Sequence, residues 1–212
     1  MRILITAGPT YEPIDPVRFI GNRSSGQMGA ALANAATSAG HDVTLILGPV
    51  TAAMPTNVRR IDVMSSREMH DAVLREFPNH DLLIMAAAVA DFRPKGSHTQ
   101  KIERGGTLMI ELESTEDIAA AAGSIKRADQ RTVGFSLVGR GDLPRTREKL
   151  VRKNLDLIVY NPLDTMSSTT IESILVYPDG RTEDLPLRDK QSFAQILIER
   201  STALFTPRAA ND

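Results

Sequence analysis

The stretch Pro16–Ala36, PVRFIGNRSSGQMGAALANAA, sets an arginine (Arg18), an asparagine (Asn22) and two serines (Ser24, Ser25) directly ahead of a helix. The first turn of a helix carries unpaired N–H groups and the positive end of the helix macrodipole. Ser24, Ser25 and Gly26 fall at that turn, and Gly26 and Gly29 have no side chain to keep a bulky anion off the backbone. This is the chemistry of phosphate binding at a helix start. It is not the dinucleotide fingerprint, since G-x-G-x-x-G does not occur, nor a Walker loop with its lysine. The local pattern alone favours a plainer reading: Ser24 or Ser25 caps the helix, and Gly29 permits close helix–sheet packing. A cap needs neither Arg18 nor Asn22, and these two tip the segment toward ligand binding.

The elements around this stretch read as alternating strands and helices. Arg2–Ala7 is short, apolar and β-branched, which predicts a central parallel strand stopped by Gly8-Pro9-Thr10. The chain then runs to Asn22 through Pro13 and Pro16 with no clean period, as a long loop of the kind that is usually functional or disordered. From about Ser25 to Ala39, Met28, Leu32, Ala35 and Ala36 share one helical face, and Gly40 ends the helix. Asp42–Leu47 and Val58–Val63 read as strands, and Ser65-Ser66-Arg67-Glu68 as a capping box opening a helix to about Phe77. Asp81–Ala88, the most apolar run, predicts a strand buried on both faces. Phe92–Gln100 reads as polar loop, Lys101–Leu112 as a β-hairpin around Gly105-Gly106, and Asp117–Lys126 as a helix. Then follow a strand (Arg131–Leu137), a helix (Pro144–Asn154) and a strand (Leu155–Tyr160) ending at Asn161-Pro162. A second hairpin (Ile171–Leu187) turns on Tyr177-Pro178-Asp179-Gly180, and Ser192–Leu204 closes the chain as an amphipathic helix. The order implies a three-layer α/β fold: a Rossmann-like, mainly parallel sheet with helices on both faces and a β-hairpin extension. One domain is expected over residues 1–206, with a frayed tail at 207–212. In such sheets ligands bind beyond the carboxyl ends of the strands. That singles out Gly8–Thr10, Ala87–Asp91, Phe135 onward and Asn161.

Composition narrows the function classes. The 212 residues are 42% hydrophobic, enough to fill a core, and the net charge of −1 argues against a nucleic-acid surface. No cysteine is present, which excludes disulfides and thiolate metal sites, and four scattered histidines argue against zinc. No apolar run reaches membrane-spanning length and the amino terminus reads as a strand, so a cytoplasmic protein is expected, with neither nucleic acid nor membrane as partner.

Four segments, GPTYEPIDPVRFIGNRSSGQMG (8–29), AAAVADFRP (86–94), Lys101-Ile102 and KLVRKNLDLIVYN (149–161), resemble phosphopantothenate–cysteine ligase in order and spacing. The first two are long and specific. No flavin-dependent decarboxylase segment, to which this ligase is fused in many bacteria, occurs in the sequence. The resemblance therefore implies a stand-alone ligase or an excised ligase domain, with a separate decarboxylase as a potential partner.

The resemblance further implies that 4′-phosphopantothenate is joined to L-cysteine through an acyl-nucleotide. The nucleotide would come from CTP, with ATP as the alternative, and Mg²⁺ would accompany the triphosphate. Gly8, Ser24, Gly26 and Gly29 would contact the triphosphate. Asn22 would hold the acyl intermediate through its amide, and Arg18 would reach phosphopantothenate from the neighbouring subunit of a homodimer. Met85, Ala86, Ala87 and Ala88 would let nucleotide and pantothenate lie against the backbone, and Asp91 would contact both ligands. Lys101 would neutralise charge in the activation step. Asp117, Ile118, Ala119 and Phe135 would surround the base, with Lys149, Lys153 and Asn161 at the nucleotide. Read without the resemblance, Asp91 is an Asx turn, Lys101 an edge charge, Phe135 a core residue and Lys149/Lys153 a solvated stripe. Tyr11, Glu103, Thr115-Glu116 and Val138 depart from the family pattern. A diverged nucleotide-binding protein without ligase activity, or a non-catalytic partner of a flavoprotein, is the competing reading.

Overall fold

The computed structural model of the chain describes residues 1–50, 52–139, 141–162 and 169–206. The tail expected to fray at 207–212 lies outside them. The strands, in chain order, are β1 (Arg2–Ala7), β2 (Tyr11–Pro13), β3 (Phe19–Gly21), β4 (Asp42–Leu47), β5 (Arg59–Asp62) and β6 (Leu82–Met85). They continue as β7 (Phe92–Pro94), β8 (Leu112–Ser114), β9 (Arg131–Val138), β10 (Leu157–Pro162), β11 (Thr170–Val176) and β12 (Thr182–Asp189). The helices are α1 (Gln27–Ser38), α2 (Ser66–Glu76), α3 (Ile118–Ile125), α4 (Leu143–Arg152) and α5 (Lys190–Ala203).

Eight strands form one sheet in the order β12-β11-β10-β9-β6-β1-β4-β5. The six from β10 to β5 are parallel, and β11 and β12 add the expected hairpin antiparallel at the edge. Alternation along β1 explains the layering. Ile3, Ile5 and Ala7 pack with α1 and α5 on one face, while Leu4 packs with Met69, Ala72 and Val73 of α2 and Ile118 and Ala122 of α3 on the other. Leu150 brings α4 to that second face, with Val138, Ile158 and Tyr160. Helix α1 ends as its sequence dictates. Gly40 takes φ 79°, its N–H reaches the Thr37 carbonyl at 2.9 Å, and the His41 N–H reaches Ala36 at 3.1 Å, a Schellman closure.

Three expectations need correction. The loop from Thr10 to Asn22 contains a short hairpin, β2 against β3, with Tyr11 stacked on Phe19 at 3.8 Å. The hairpin expected around Gly105-Gly106 does not form; instead β7 pairs with β8, so the segment expected as polar loop supplies a strand. Both ends of the segment are engaged elsewhere: Leu112 pairs with Pro94, and Ile102 is held by the turn between β2 and β3. The Ile102 N–H goes to the Asp15 carboxylate and its carbonyl to the Arg18 guanidinium, so neither is available for a cross-strand ladder. Finally, Asn161 and Pro162 lie within β10, in register with Leu137 and Val138 of β9, rather than after it.

Candidate active site

β1 and β6 are neighbours at the centre of the sheet, and the chain leaves β1 toward β4 but leaves β6 toward β9. This reversal opens a crevice at their carboxyl ends, where open parallel sheets place their ligands. Two loops run side by side there. Pro9 bridges to Ala88, the Ala88 N–H donates to the Gly8 carbonyl at 2.8 Å, and the Ala90 N–H donates to Thr10 Oγ1 at 2.9 Å. Asn22 fastens them from above, its Nδ2 donating to the Val89 carbonyl at 2.8 Å and to the Ala88 carbonyl at 3.3 Å. From below, Thr115 donates its hydroxyl to the Ala90 carbonyl at 2.6 Å and its N–H to the Asp91 carbonyl at 3.0 Å. The structure thus brings Gly8, Asn22, Ala86, Ala87, Ala88 and Asp91 into one rim. The Asp91 side chain is exposed there, and Met85, half-buried below, packs toward α2 and α4.

The start of α1 sits over the end of β1. Gly26 precedes the helix at φ 79°, and no side chain caps it, whereas Ser65, Asp117 and Asp189 cap α2, α3 and α5. Ser24 and Ser25 reach only weakly toward Gly26 and Gln27, at 3.4 and 3.5 Å. The first-turn N–H groups of α1 therefore remain open to an anion. A Cβ on Gly26 would meet Val50 at 2.5 Å, so this residue is glycine for conformation and space together. Gly29 faces Ala7, whose Cβ would lie 2.2 Å from an added methyl. Its missing side chain is what seats α1 on the sheet.

Arg18 and Lys101 come together through a residue that sequence reading passed over. Asp15, 3% exposed, lies in the turn between β2 and β3. Its Oδ1 accepts the N–H groups of Val17 and Arg18, both at 2.8 Å, and its Oδ2 accepts the Ile102 N–H at 3.1 Å and the Arg18 guanidinium. Burial pushes the carboxyl pKa up, but the N–H groups of Val17, Ile102 and Arg18 outweigh it and bring the group down to about 2. Lys101, next to Ile102, projects from this junction with its side chain exposed. The only sequence signal for Asp15 was D-P-V-R, which reads as a local Asx turn.

On the α4 side, Lys149 lies 3.3 Å from Ser136 Oγ on β9. Burial lowers its pKa, Arg145 and Lys153 lower it further, and Asp91 opposes them, which places Asp91 and Lys149 in each other's field. Lys153 is paired with Asp117 at 2.9 Å, and Asp117 also accepts the Ala120 N–H at 3.1 Å as the cap of α3, with Ile118 and Ala119 in the first turn. Burial raises the Asp117 pKa, and the Lys153 and Ala120 hydrogen bonds pull it below its ordinary value. Phe135 projects to the opposite face of β9, edge-on to Phe193 of α5 at 6.5 Å. It is therefore separated by the sheet from Lys149. Asn161 Oδ1 is buried with no hydrogen-bond partner among the described residues, which leaves an acceptor open at the end of β10. Arg93, also missed in the sequence, is paired with Glu113 at 2.8 Å and Glu116 at 2.8 Å, bracing β7 and β8. The departures at Thr115 and Glu116 are thus what tie the Ala90–Asp91 loop to the ribbon.

A family model described as the DNA/pantothenate metabolism flavoprotein C-terminal domain matches residues 1–204. The chain belongs to this family. Among relatives of this C-terminal domain, a Coenzyme A biosynthesis bifunctional protein CoaBC of Vibrio cholerae is 43% identical over 204 residues, covering 93% of this chain and 51% of that protein. A Cysteine/Cysteine sulfinic acid decarboxylase of unknown prokaryotic origin is 51% identical over 164 residues, covering 76% of this chain and 46% of that one. The chain spans about half the length of these curated relatives. The crystal structure of the C-terminal domain of a CoaBC protein superposes with a TM-score of 0.82 at 39% identity, covering 94% of this chain and 92% of that one. A Cab2 variant in complex with phosphopantothenate-cysteine shares the fold, with a TM-score of 0.81 at 19% identity over 95% of this chain and 85% of that one.

Proposed function

We propose that the chain is a ligase that joins 4′-phosphopantothenate to L-cysteine through an acyl-nucleotide, with CTP favoured over ATP. The observation that carries this reading is the meeting of an uncapped helix start and the Asn22 staple at one crevice, together with an Arg18–Lys101 junction fastened to the β2–β3 turn. The substrate carboxylate must approach a triphosphate, and both are anions. The reaction therefore depends on donors and cations already in place rather than on a protein nucleophile. In the first step a carboxylate oxygen attacks the α-phosphorus and pyrophosphate leaves. In the second, the cysteine amine attacks the acyl carbon, the nucleoside monophosphate leaves with the bonding pair, and the nitrogen loses a proton. The α1 start would hold the triphosphate, Lys101 would face the α-phosphate, and Arg18 would take a phosphate or carboxylate of phosphopantothenate. Mg²⁺ would neutralise triphosphate charge. The described residues offer no cluster of three or more acidic, histidine or cysteine groups for it. The donor set fits an ion held mainly by triphosphate oxygens, with Asp91 as the carboxylate at the rim.

A homodimer completes the reading. Val17 and Phe19 on the β2–β3 hairpin are 62% and 51% exposed, and Phe92, Leu108, Met109, Ile110 and Leu112 are exposed on the neighbouring ribbon and its connection. So much apolar surface on one side of a molecule marks an interface, and a second copy would cover it. The activity is tested by pyrophosphate release with phosphopantothenate supplied alongside CTP or ATP. Release that requires phosphopantothenate, followed by cysteine-dependent release of the monophosphate, is expected. Release indifferent to phosphopantothenate would reject the ligase.

A further inference from the structure

We infer that Asp15 is a positioning residue of this site: its carboxylate locks the hairpin bearing Arg18 to the segment bearing Lys101, so that the two cations act as one unit. The inference rests on the ligase reading above. Oδ1 serves the local turn, taking the N–H groups of Val17 and Arg18. Those bonds alone would make an ordinary Asx turn. Oδ2 reaches beyond the turn. It takes the Ile102 N–H, 87 residues away in sequence, together with the Arg18 guanidinium. The guanidinium in turn donates to the Ile102 carbonyl at 3.3 Å. The residue following Lys101 is therefore held at both its N–H and its carbonyl by the Asp15–Arg18 pair.

The consequence for chemistry is geometric. A lysine on a free loop spreads its charge over many positions, and misplacement by about 1 Å costs about 100-fold in rate. Ile102 is pinned while the Lys101 side chain remains exposed, which fixes the root of the lysine and leaves its ammonium to the substrate. A carboxylate is required at position 15. All the partners are donors, and a carboxamide would turn an NH₂ group toward one pair of them. The His98 N–H to Ile14 carbonyl bond, at 2.9 Å, shows the same segment tied to the same turn a second time.

The test uses Asp15→Asn, with Asp15→Ala as a second variant that removes the acceptor of the Ile102 N–H and leaves the backbone around Lys101 unaltered in sequence. Hydrogen exchange at Ile102 in Asp15→Asn, without substrates, should quicken at least ~10-fold. In both variants pyrophosphate formation should fall ~100-fold and KM for phosphopantothenate should rise ~10-fold. Binding of CTP alone should stay within about twofold, because the α1 start is untouched. A merely structural role would lower the folded fraction without separating the two substrates. Folded variants with wild-type KM for phosphopantothenate, or Asp15→Asn with unchanged Ile102 exchange, would overturn the inference. A wild-type enzyme without phosphopantothenate-dependent release would instead overturn the ligase reading on which it rests.

Discussion

Asn22 spends its amide nitrogen on the protein itself. Nδ2 lies 2.8 Å from the Val89 carbonyl and 3.3 Å from that of Ala88, so the amide holds the 86–91 loop. In the proposed reaction its Oδ1, an acceptor, would suit an incoming amine. Asn22→Asp replaces the donor with a carboxylate facing two carbonyl oxygens and adds a negative charge beside an acyl phosphate. Amide formation should suffer most, and rapid-quench analysis should show accumulated acyl-nucleotide; full turnover without accumulation would remove the role. Lys101→Gln isolates the other half-reaction. Losing one transition-state cation should lower pyrophosphate formation ~100-fold, measured in single turnover without cysteine. Near-normal turnover would return Lys101 to the status of an edge charge. At this scale the sequence revealed residue types around the site but not their partners. Asp15 escaped notice because its decisive bond spans 87 residues, and no local pattern records such a contact.

Helix α1 and strand β1 meet so closely that Gly29 is an element-level requirement. Its added methyl would lie 2.2 Å from Ala7 Cβ, within a central strand that cannot yield. Gly29→Ala should therefore destabilise the fold by about 1–3 kcal/mol in chemical denaturation, the usual scale of overpacking. Gly105→Ala, where nothing lies within 4 Å, should be neutral. The Asp15 clamp gives a second element-level expectation, in pH. Its folded pKa of about 2 lies below the ordinary value of 3.8, so its contribution is present above the ordinary value and is lost as pH falls through the folded one. Protection of the Ile102 amide should accordingly hold at pH 5 and collapse between about pH 4 and pH 2. The elements that were legible carry their own cause. β1 and β4 lie where their apolar runs put them, and Gly40 and Ser65 mark helix ends by backbone chemistry. The 101–112 segment was not legible, because Gly105-Gly106 looks like a turn whether or not strands flank it. Its first residues are tied to Asp15 and Arg18 and its last pair with β7, and neither contact leaves a local pattern.

The whole molecule sets two surfaces of different character side by side. The carboxyl ends of the parallel strands carry the polar crevice, while beside it the β2–β3 hairpin and the β7–β8 ribbon expose Val17, Phe19, Met109 and Leu112. A dimer through these elements would bring Arg18 of one subunit to the crevice of the other, and the Asp15 clamp adds a constraint. Arg18 and the Lys101 segment are fastened together, so both must enter the same neighbouring site. Subunit mixing distinguishes the arrangements. Arg18→Ala mixed with Asn22→Asp should recover roughly a quarter of wild-type activity, since half the dimers are mixed and each mixed dimer has one intact site. Arg18→Ala mixed with Lys101→Gln should recover nothing, because every site then lacks one of the two cations. Recovery in the second mixture would show that the cations come from different subunits. Sedimentation showing an active monomer at assay concentration would remove the shared site altogether.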